Sequence, residues 1–548
     1  MVERLLLAAS GGVGIILYAL WCTVGHYLKR SPLDNLPGPA PAFLISGQDG
    51  QLPPRQSENF WNNLARTYGP VSRFYGQFGR RMLVIHDPKA LYTVLVEDQE
   101  FFTKNFAPSN EMMVLLGPGL ASTGGTQHKK QRKLLNPVFS LSHLRDLSRI
   151  FYDVANKAQK AIGSRISADG AAGIMDVNGW MARTTLEILG QAGLGYSFDD
   201  FVEDETDEYG KSVKLFLVAF SSVPLFSPIV AGLSHYMSDT HMRRFLSIFP
   251  SKELRGLIQI SGTIWRRSRE IVEEKKDALH KGGDAMLQEV GEGKDIMSIC
   301  LKANMAASDK EKLSEEELIA QMSTFIVAGM DTTSNALSRI LHLLAQNPAV
   351  QNKLRAELVE ARGVSDGEAD IPYDDLMKLP YLDAVCRETL RVFAPVALSA
   401  RTAAKDSVVP LTSSVRGRDG KNVHEVIVPR GTIVIVHYQA SNTNPAVWGE
   451  DADEWKPERW LAPLPGSVEE ARIPGMYSNL MTFAAGSRSC IGFKFSELEM
   501  KVVLAVLLPK FSFELTDKQI TWNSSAITFP TMGEESSKPE MLLKVAAL

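Results

Sequence analysis

Two patterns dominate the distribution of apolar and polar positions along the chain. The first is a continuous apolar run, Leu5 to Leu28 (LLLAASGGVGIILYALWCTVGHYL), in which His26 is the one titratable base. Its 24 residues exceed the ~20 that a helix needs to cross bilayer hydrocarbon. They also exceed the ~7–15 residue apolar core of a cleaved signal peptide, and no small-x-small cleavage site follows. Lys29 and Arg30 flank the far end, against Arg4 offset by Glu3 at the near end, so the positive-inside bias puts the remainder on the cytosolic side. Residues 1–4 are then a short luminal tail, 5–28 a transmembrane signal anchor and 29–42 a basic, proline-rich linker. Within that linker LPGPAP, Leu36 to Pro41, predicts a stiff extended spacer.

The second pattern is a recurrence of apolar residues at spacings of three and four. Ser314 and Glu317 form an S-x-x-E capping box. Behind it Ile319, Met322, Phe325, Ile326, Gly329, Thr333, Ala336, Leu337, Ile340 and Leu344 fall on one helical period, until Asn347-Pro348 stops the run. The spacing predicts a helix of roughly 32 residues, near 48 Å at ~1.5 Å per residue, long enough to be the axle of a domain. Another apolar helix is predicted directly after Cys490, over IGFKFSELEMKVVLAVLLPKF. Strand-like pieces are short: SRFYGQF, RMLVIHD and VIVPRGTIVIVHY. Lys214 to Leu233 is apolar enough to dip into a membrane. With no internal repeat or low-complexity tract, residues 43–548 read as one mainly α domain with small β-sheets.

Composition narrows the chemistry. The 45% hydrophobic and 22% charged shares describe an ordinary large core, and a net charge of −4 leaves no electrostatic footprint for nucleic acid. Cys22, Cys300, Cys386 and Cys490 have no CxxC or CxxCH spacing, which argues against a disulfide scaffold, a zinc site or covalently attached haem. HExxH, GxSxG and Walker A motifs are absent, and GPGLASTGG near Gly117 echoes a dinucleotide loop without a βαβ unit around it. The sequon Asn523-Ser524-Ser525 falls on the cytosolic side of the inferred topology.

Cys490 stands apart from the other thiols. It lies in FAAGSRSCIG, Phe483 to Gly492, at the mouth of a predicted helix, where free amides and the helix dipole lower a thiol's pKa. Gly486 and Gly492 permit tight turns and close approach to a flat ligand. Arg488 reaches an acidic edge of such a ligand, and Phe483 covers the sulfur. A single thiolate in a covered loop suits haem ligation with the opposite face of the iron open.

F-x-x-G-x-R-x-C-x-G resembles the haem-binding signature of the cytochromes P-450, the haem-thiolate monooxygenases. AGMDTT (Ala328–Thr333) resembles that family's oxygen-activation motif, ETLR (Glu388–Arg391) its E-x-x-R pair and PERW (Pro457–Trp460) its P-E-R-F/W element. All four stand in family order, and with the anchor and proline hinge the resemblance covers essentially the whole chain. It implies the cytochrome P-450 fold, haem b with Cys490 as axial ligand, and proton relay by Thr332 and Asp331. It further implies haem-propionate contacts from Arg132, Arg401, Arg488 and His128, and a bracing network of Glu388, Arg391 and Arg459. His128 occupies a position where many relatives carry tryptophan, four residues before Arg132.

Residue chemistry alone leaves other readings open. Glu388 and Arg391, three apart, match a common surface pair. Thr332 matches a mid-helix threonine that bonds back to the carbonyl four residues earlier and bends the helix. On the resemblance, the reaction is monooxygenation by an endoplasmic-reticulum protein with one span and a cytosolic catalytic domain. Electrons would come from NADPH through a separate cytochrome P-450 reductase. Lys129, Lys130, Lys133, Lys494 and Lys501 would form the basic surface on which that reductase docks. The matched pocket positions Phe325, Ala328, Val396, Ala397 and Leu398 are small or apolar, which suits a lipophilic substrate. The overall pattern resembles fungal secondary-metabolism members and favours a terpenoid. Fatty-acid or xenobiotic hydroxylation, and a haem-binding sensor without turnover, are the alternatives.

Overall fold

The computed structural model describes residues 21, 24–25, 27–52, 55–104, 110–166, 172–203, 208–223, 226–281, 293–363 and 370–548. Most of the predicted anchor, including Cys22, lies outside the described residues. Among the described residues no helix is long and apolar enough to cross a membrane. The chain is mainly helical with small sheets and divides into two compact units. One gathers Met1–Phe106, Ala397–Ala452 and Pro465–Ser489, and the other Ala107–Val396, Asp453–Leu464 and Cys490–Leu548.

The first unit is built on a sheet of β1 (Val71–Tyr75), β2 (Arg81–Ile85), β3 (Phe102–Thr103), β5 (Leu398–Ala403) and β8 (Ile433–His437), in the order β1-β2-β8-β5-β3. β1 and β2 form an antiparallel hairpin, β2 runs parallel to β8, and β6 (Ser407–Arg416) pairs with β7 (Asn422–Val428) as a separate hairpin. Helix α1 (Glu58–Tyr68) lays Trp61 and Leu64 on Phe74, Val84 and Ile435. The proline-rich spacer does not stand clear of this body. Leu33 and Leu36 are buried, the Arg73 N–H donates to the Pro37 carbonyl at 2.8 Å, and Arg81 pairs with Asp34. Leu33 and Leu36, just ahead of the proline run, have apolar surface to hide, so the segment packs down onto β1.

The second unit carries α2 (Gly125–Leu135), α3 (Leu141–Ser164), α4 (Val177–Ile188), α5 (Glu208–Ser221), α6 (Lys252–Lys281), α7 (Glu315–Gln346), α8 (Pro348–Gly363), α9 (Pro380–Val392) and α10 (Phe493–Leu507). Its small sheets are β4 (Gly173–Asp176), β12 (Leu542–Ala547) and β9 (Phe511–Leu515), and the hairpin β10 (Ile520–Ser524)–β11 (Thr528–Met532). α7 is the predicted axle. The Ser314 hydroxyl accepts the Glu317 N–H at 3.2 Å, and the Glu317 carboxylate accepts the Ser314 N–H at 2.9 Å. Glu315, Glu316 and Glu317 place negative charge on the first turn, where the helix dipole favours it. α4, α5, α6, α9 and α10 pack around it.

From Glu317 to Ala345, α7 is buried at every position except Ala328, Gly329 and Thr332. A long helix inside a core should bury all its faces. The open strip therefore marks where the core is interrupted. Asn523, the sequon asparagine, is fully buried in the β10–β11 hairpin, its amide donating to Thr531 Oγ1 at 2.9 Å, so the folded protein presents no acceptor for glycan there.

Candidate active site

Cys490 sits where a 3₁₀ turn, Gly486–Arg488, gives way to α10. Its side chain is accessible, yet protein encloses it. Burial raises the thiol above its ordinary pKa. The Gly492 N–H and the Arg132 guanidinium act the other way, by hydrogen bonding and opposite charge. Cys300 and Cys386 offer no comparable site. Both are fully buried, and burial pushes each thiol up to about 12. Among the described cysteines, Cys490 is the one with room for a ligand and a cation beside it.

The open strip on α7 comes from its local sequence. Thr332 Oγ1 donates to the Ala328 carbonyl at 2.8 Å, the back-bond expected of a mid-helix threonine. A Cβ at Gly329 would meet Leu189 Cδ2 at 2.9 Å, so the glycine here serves helix packing as well. Phe325, one turn earlier, meets Phe139 edge-on with ring centroids 5.8 Å apart. Phe139 in turn lies against Gly492, two residues past the cysteine.

Asp331 does not point along the strip with Thr332. It is buried, and its Oδ1 accepts the Lys214 ammonium at 2.8 Å and the Asn335 amide at 3.1 Å, while Oδ2 is buried without a hydrogen-bond partner. Lys214, from α5, also reaches Ser334 Oγ and Asn335 Oδ1. No local pattern revealed this clamp, because its halves are 117 residues apart.

Glu388, Arg391 and Arg459 are brought together out of solvent. Glu388 and Arg391 are both 0% exposed, which rules out a surface pair. The carboxylate accepts Arg391 Nε and Nη2 at 2.8 Å each, Arg459 Nε at 3.3 Å, the Lys456 N–H at 3.0 Å and Trp460 Nε1 at 2.9 Å. Such density of donors is what a buried carboxylate requires. The remaining predicted residues of this unit are His128, buried on α2, Arg132, half-buried on the same helix, and Val396, half-buried after α9.

In the other unit Gly486 has φ +68°, and a Cβ there would collide with the Leu95 carbonyl, so only glycine serves. The next residue's N–H donates to Gln99 Oε1 at 2.9 Å. Phe483 packs edge-on against Tyr477, while Ala397 and Leu398 are half-buried where β5 begins. Arg401 is buried on β5. It and Arg488 lie close enough to Lys104 to repel it; although the lysine's surface is accessible, the protein around it and that repulsion pull it down to about 8. This convergence of three cations calls for an anion. Lys104 carries no motif and was not legible from sequence.

Lys501, expected on an exposed basic surface, is fully buried and pairs with Asp383 at 2.8 Å and Glu497 at 3.3 Å. It faces α9 rather than solvent, because α10 is covered on every side. Lys133 is exposed but engaged with Glu311 at 2.6 Å, and Lys130 donates to the Lys312 carbonyl. Lys129 and Lys494 are exposed or half-exposed.

The donor set fits haem. Among the described residues no three His, Cys, Asp or Glu side chains converge as a bare metal ion requires. A metal on Cys490 must therefore bring most of its donors with it, and the cation clusters suit an acidic edge.

The sequence model of the family described as Cytochrome P450 matches residues 36–533. The chain is 56% identical over 548 residues to the ganoderic acid synthetase of Ganoderma lucidum, covering 100% of this chain and 99% of that protein. It is 49% identical over 539 residues to cytochrome P450 monooxygenase 91 of Postia placenta, covering 97% and 98% of the two chains. Monooxygenase 81 of the same fungus is 47% identical over 539 residues, covering 98% and 97%.

Proposed function

The chain belongs to the cytochrome P450 family of monooxygenases, and on that premise we propose that it oxidises a lipophilic terpenoid with electrons from NADPH delivered by a separate reductase. The observation that carries the reading is Cys490, the accessible thiol set between the Gly492 N–H and Arg132. Family members hold haem through a cysteine thiolate and draw on a redox partner. Haem so held activates O₂, one atom entering the substrate and the other leaving as water, with electron push from the thiolate.

The chain's own residues do the rest. Cys490 ligates the iron, while Phe483, Gly486 and Gly492 shape its loop. Arg132, His128, Arg401 and Arg488 take the propionates, and Lys104 joins the last two. Thr332 gives up its bond to the Ala328 carbonyl to carry a proton at the open strip. Asp331 joins Thr332 in the relay as an acceptor, its carboxylate held by Lys214 and Asn335. Glu388, Arg391 and Arg459 brace the core. Substrate contact falls to Phe325, Ala328, Val396, Ala397 and Leu398. The terpenoid reading is supported by those apolar positions and by 56% identity to a ganoderic acid synthetase.

Residues 5–28 anchor the protein in the endoplasmic-reticulum membrane, with the catalytic body in the cytosol. Reconstitution with reductase, NADPH and ¹⁸O₂ against a panel of terpenoids, fatty acids and xenobiotics tests the proposal. One labelled oxygen should appear in a terpenoid product. Oxidation confined to fatty acids or xenobiotics overturns the substrate class, and haem binding without turnover on any of them overturns the enzymatic reading.

A further inference from the structure

Where the apolar N-terminal run meets the first unit, one end of the β1–β2 hairpin gathers exposed apolar and basic surface. Tyr27, one residue before the end of that run, stacks on Tyr75 of β1 with ring centroids 6.1 Å apart. Its ring also occupies the space that a Cβ at Gly79 would need, in the turn between β1 and β2. The last turn of the run is thereby held against the sheet. A loop lies on the same turn, where the Phe78 N–H donates to the Ile45 carbonyl. In that loop Phe43, Leu44 and Ile45 are 53%, 71% and 52% exposed. Three consecutive large apolar side chains left open mark a face that meets something.

The tip of the β6–β7 hairpin is locked to the linker at this end. The Arg418 N–H donates to the Asn35 carbonyl at 2.7 Å, and the Asp419 N–H to Asn35 Oδ1 at 3.0 Å. A Cβ at Gly417 would meet the Asn35 amide at 2.7 Å, so the tip's backbone lies directly on it. Asp34, next in the chain, pairs with Arg81, which stands opposite Tyr75 in the sheet. Asn35 is seven residues past Leu28, at most ~25 Å of extended chain, and the 3₁₀ turn Pro32–Asn35 shortens that reach. Arg416, Arg418 and Lys421 are exposed, and among the described residues their side chains make no hydrogen bond or ion pair. Asp419, the tip's acid, is turned to accept the Lys421 N–H at 3.0 Å. Glu425, the one acid of β7, lies four residues beyond Lys421, while exposed Lys29 and Arg30 add positive charge ahead of the linker. Bases presented beside a span are drawn to an anionic leaflet.

We propose that the β6–β7 tip is a binding site for anionic lipid headgroups, with Arg416, Arg418 and Lys421 as its cations. The proposal rests on the reading of residues 5–28 as an anchor, which brings this end of the sheet to the bilayer. The test uses full-length haem-loaded protein in phosphatidylcholine bilayers with or without phosphatidylserine, each carrying a trace of lipid with a diazirine on its headgroup. After photolysis, mass spectrometry maps the labelled residues. Label on 413–424 should be at least about fivefold higher with phosphatidylserine, the factor that one base near a charged surface contributes. In ~1 M salt, where the screening length falls to ~3 Å, the excess should vanish. Arg416→Gln, Arg418→Gln and Lys421→Gln combined should reduce label to the phosphatidylcholine level at normal haem content. Equal label in the two bilayers, an excess that survives salt, or wild-type label in the triple variant would overturn the site. Slower reduction by the reductase in that variant, with label unchanged, would assign the tip to a protein partner instead. Alkaline carbonate reports on the anchor separately. Release by carbonate contradicts the span, whereas protein that stays in the bilayer with its tip unlabelled contradicts the headgroup site alone.

Discussion

Lys214 Nζ stands 2.8 Å from Asp331 Oδ1, and the two side chains are 12% and 2% exposed. The clamp ties α5 to the middle of α7. Removing one partner leaves the other charge buried, which costs about 3–5 kcal/mol. Lys214→Met alone should therefore lower unfolding stability by an amount in that range. Lys214→Met with Asp331→Asn should recover most of it, since no charge is then stranded. A urea double-mutant cycle measures this, and strictly additive effects would show that the pair is not coupled.

Glu388 is a sharper case because five donors converge on it. Glu388→Gln removes the charge facing Arg391 and Arg459, a loss of about 3–5 kcal/mol. The expected result is a protein that accumulates poorly and retains little haem. Arg459→Ala, which removes one donor and leaves Arg391 in place, should be milder. The haem-to-protein ratio after purification checks both. Equal retention in Glu388→Gln and wild type would return the pair to a passive role.

Glu499, on α10, is a buried carboxyl with neither oxygen in a hydrogen bond of good geometry. Burial raises its pKa well above the ordinary value, and the nearby Thr333 hydroxyl offsets only part of that. A raised folded-state pKa means that Glu499 contributes stability below the unfolded value of about 4.3 and loses it as pH climbs through the folded value. Glu499→Gln removes that loss. Its stability relative to wild type should improve from pH 5 to pH 8, by roughly 1–3 kcal/mol. Urea midpoints across that range provide the measurement, and parallel pH curves would contradict it.

Thr332→Ala should leave reduction by NADPH intact and release peroxide in place of product, whereas Thr332→Ser, which keeps the hydroxyl, should remain largely coupled. The ratio of product to NADPH consumed decides the matter. Full coupling in Thr332→Ala would leave the back-bond to Ala328 as a helix-bending contact and nothing more.

Much of this was legible in the chain. The S-x-x-E box and the three-four spacing marked α7 to within a residue at each end, because local capping and core periodicity agree there. Cys490 was legible because glycines and a following helix surround it. What sequence missed depends on distant partners. Ser496, Glu497, Glu499 and Lys501 look like the polar face of a surface helix. Glu497, Glu499 and Lys501 are nevertheless buried, with Asp383 on α9 supplying the charge that lets Lys501 go inside. Lys214 holds Asp331 from another helix, and LPGPAP packs on the sheet through leucines beside it. Each is a tertiary contact that no local pattern encodes.

The central claim is that Cys490 supplies the thiolate to haem iron. The most direct measurement is the absorption spectrum of the reduced, CO-bound protein, recorded for wild type and for Cys490→Ala, Cys300→Ala and Cys386→Ala. The wild-type, Cys300→Ala and Cys386→Ala proteins should show the red-shifted Soret band of thiolate ligation, and Cys490→Ala should lack it. A red-shifted band that survives in Cys490→Ala would contradict the account.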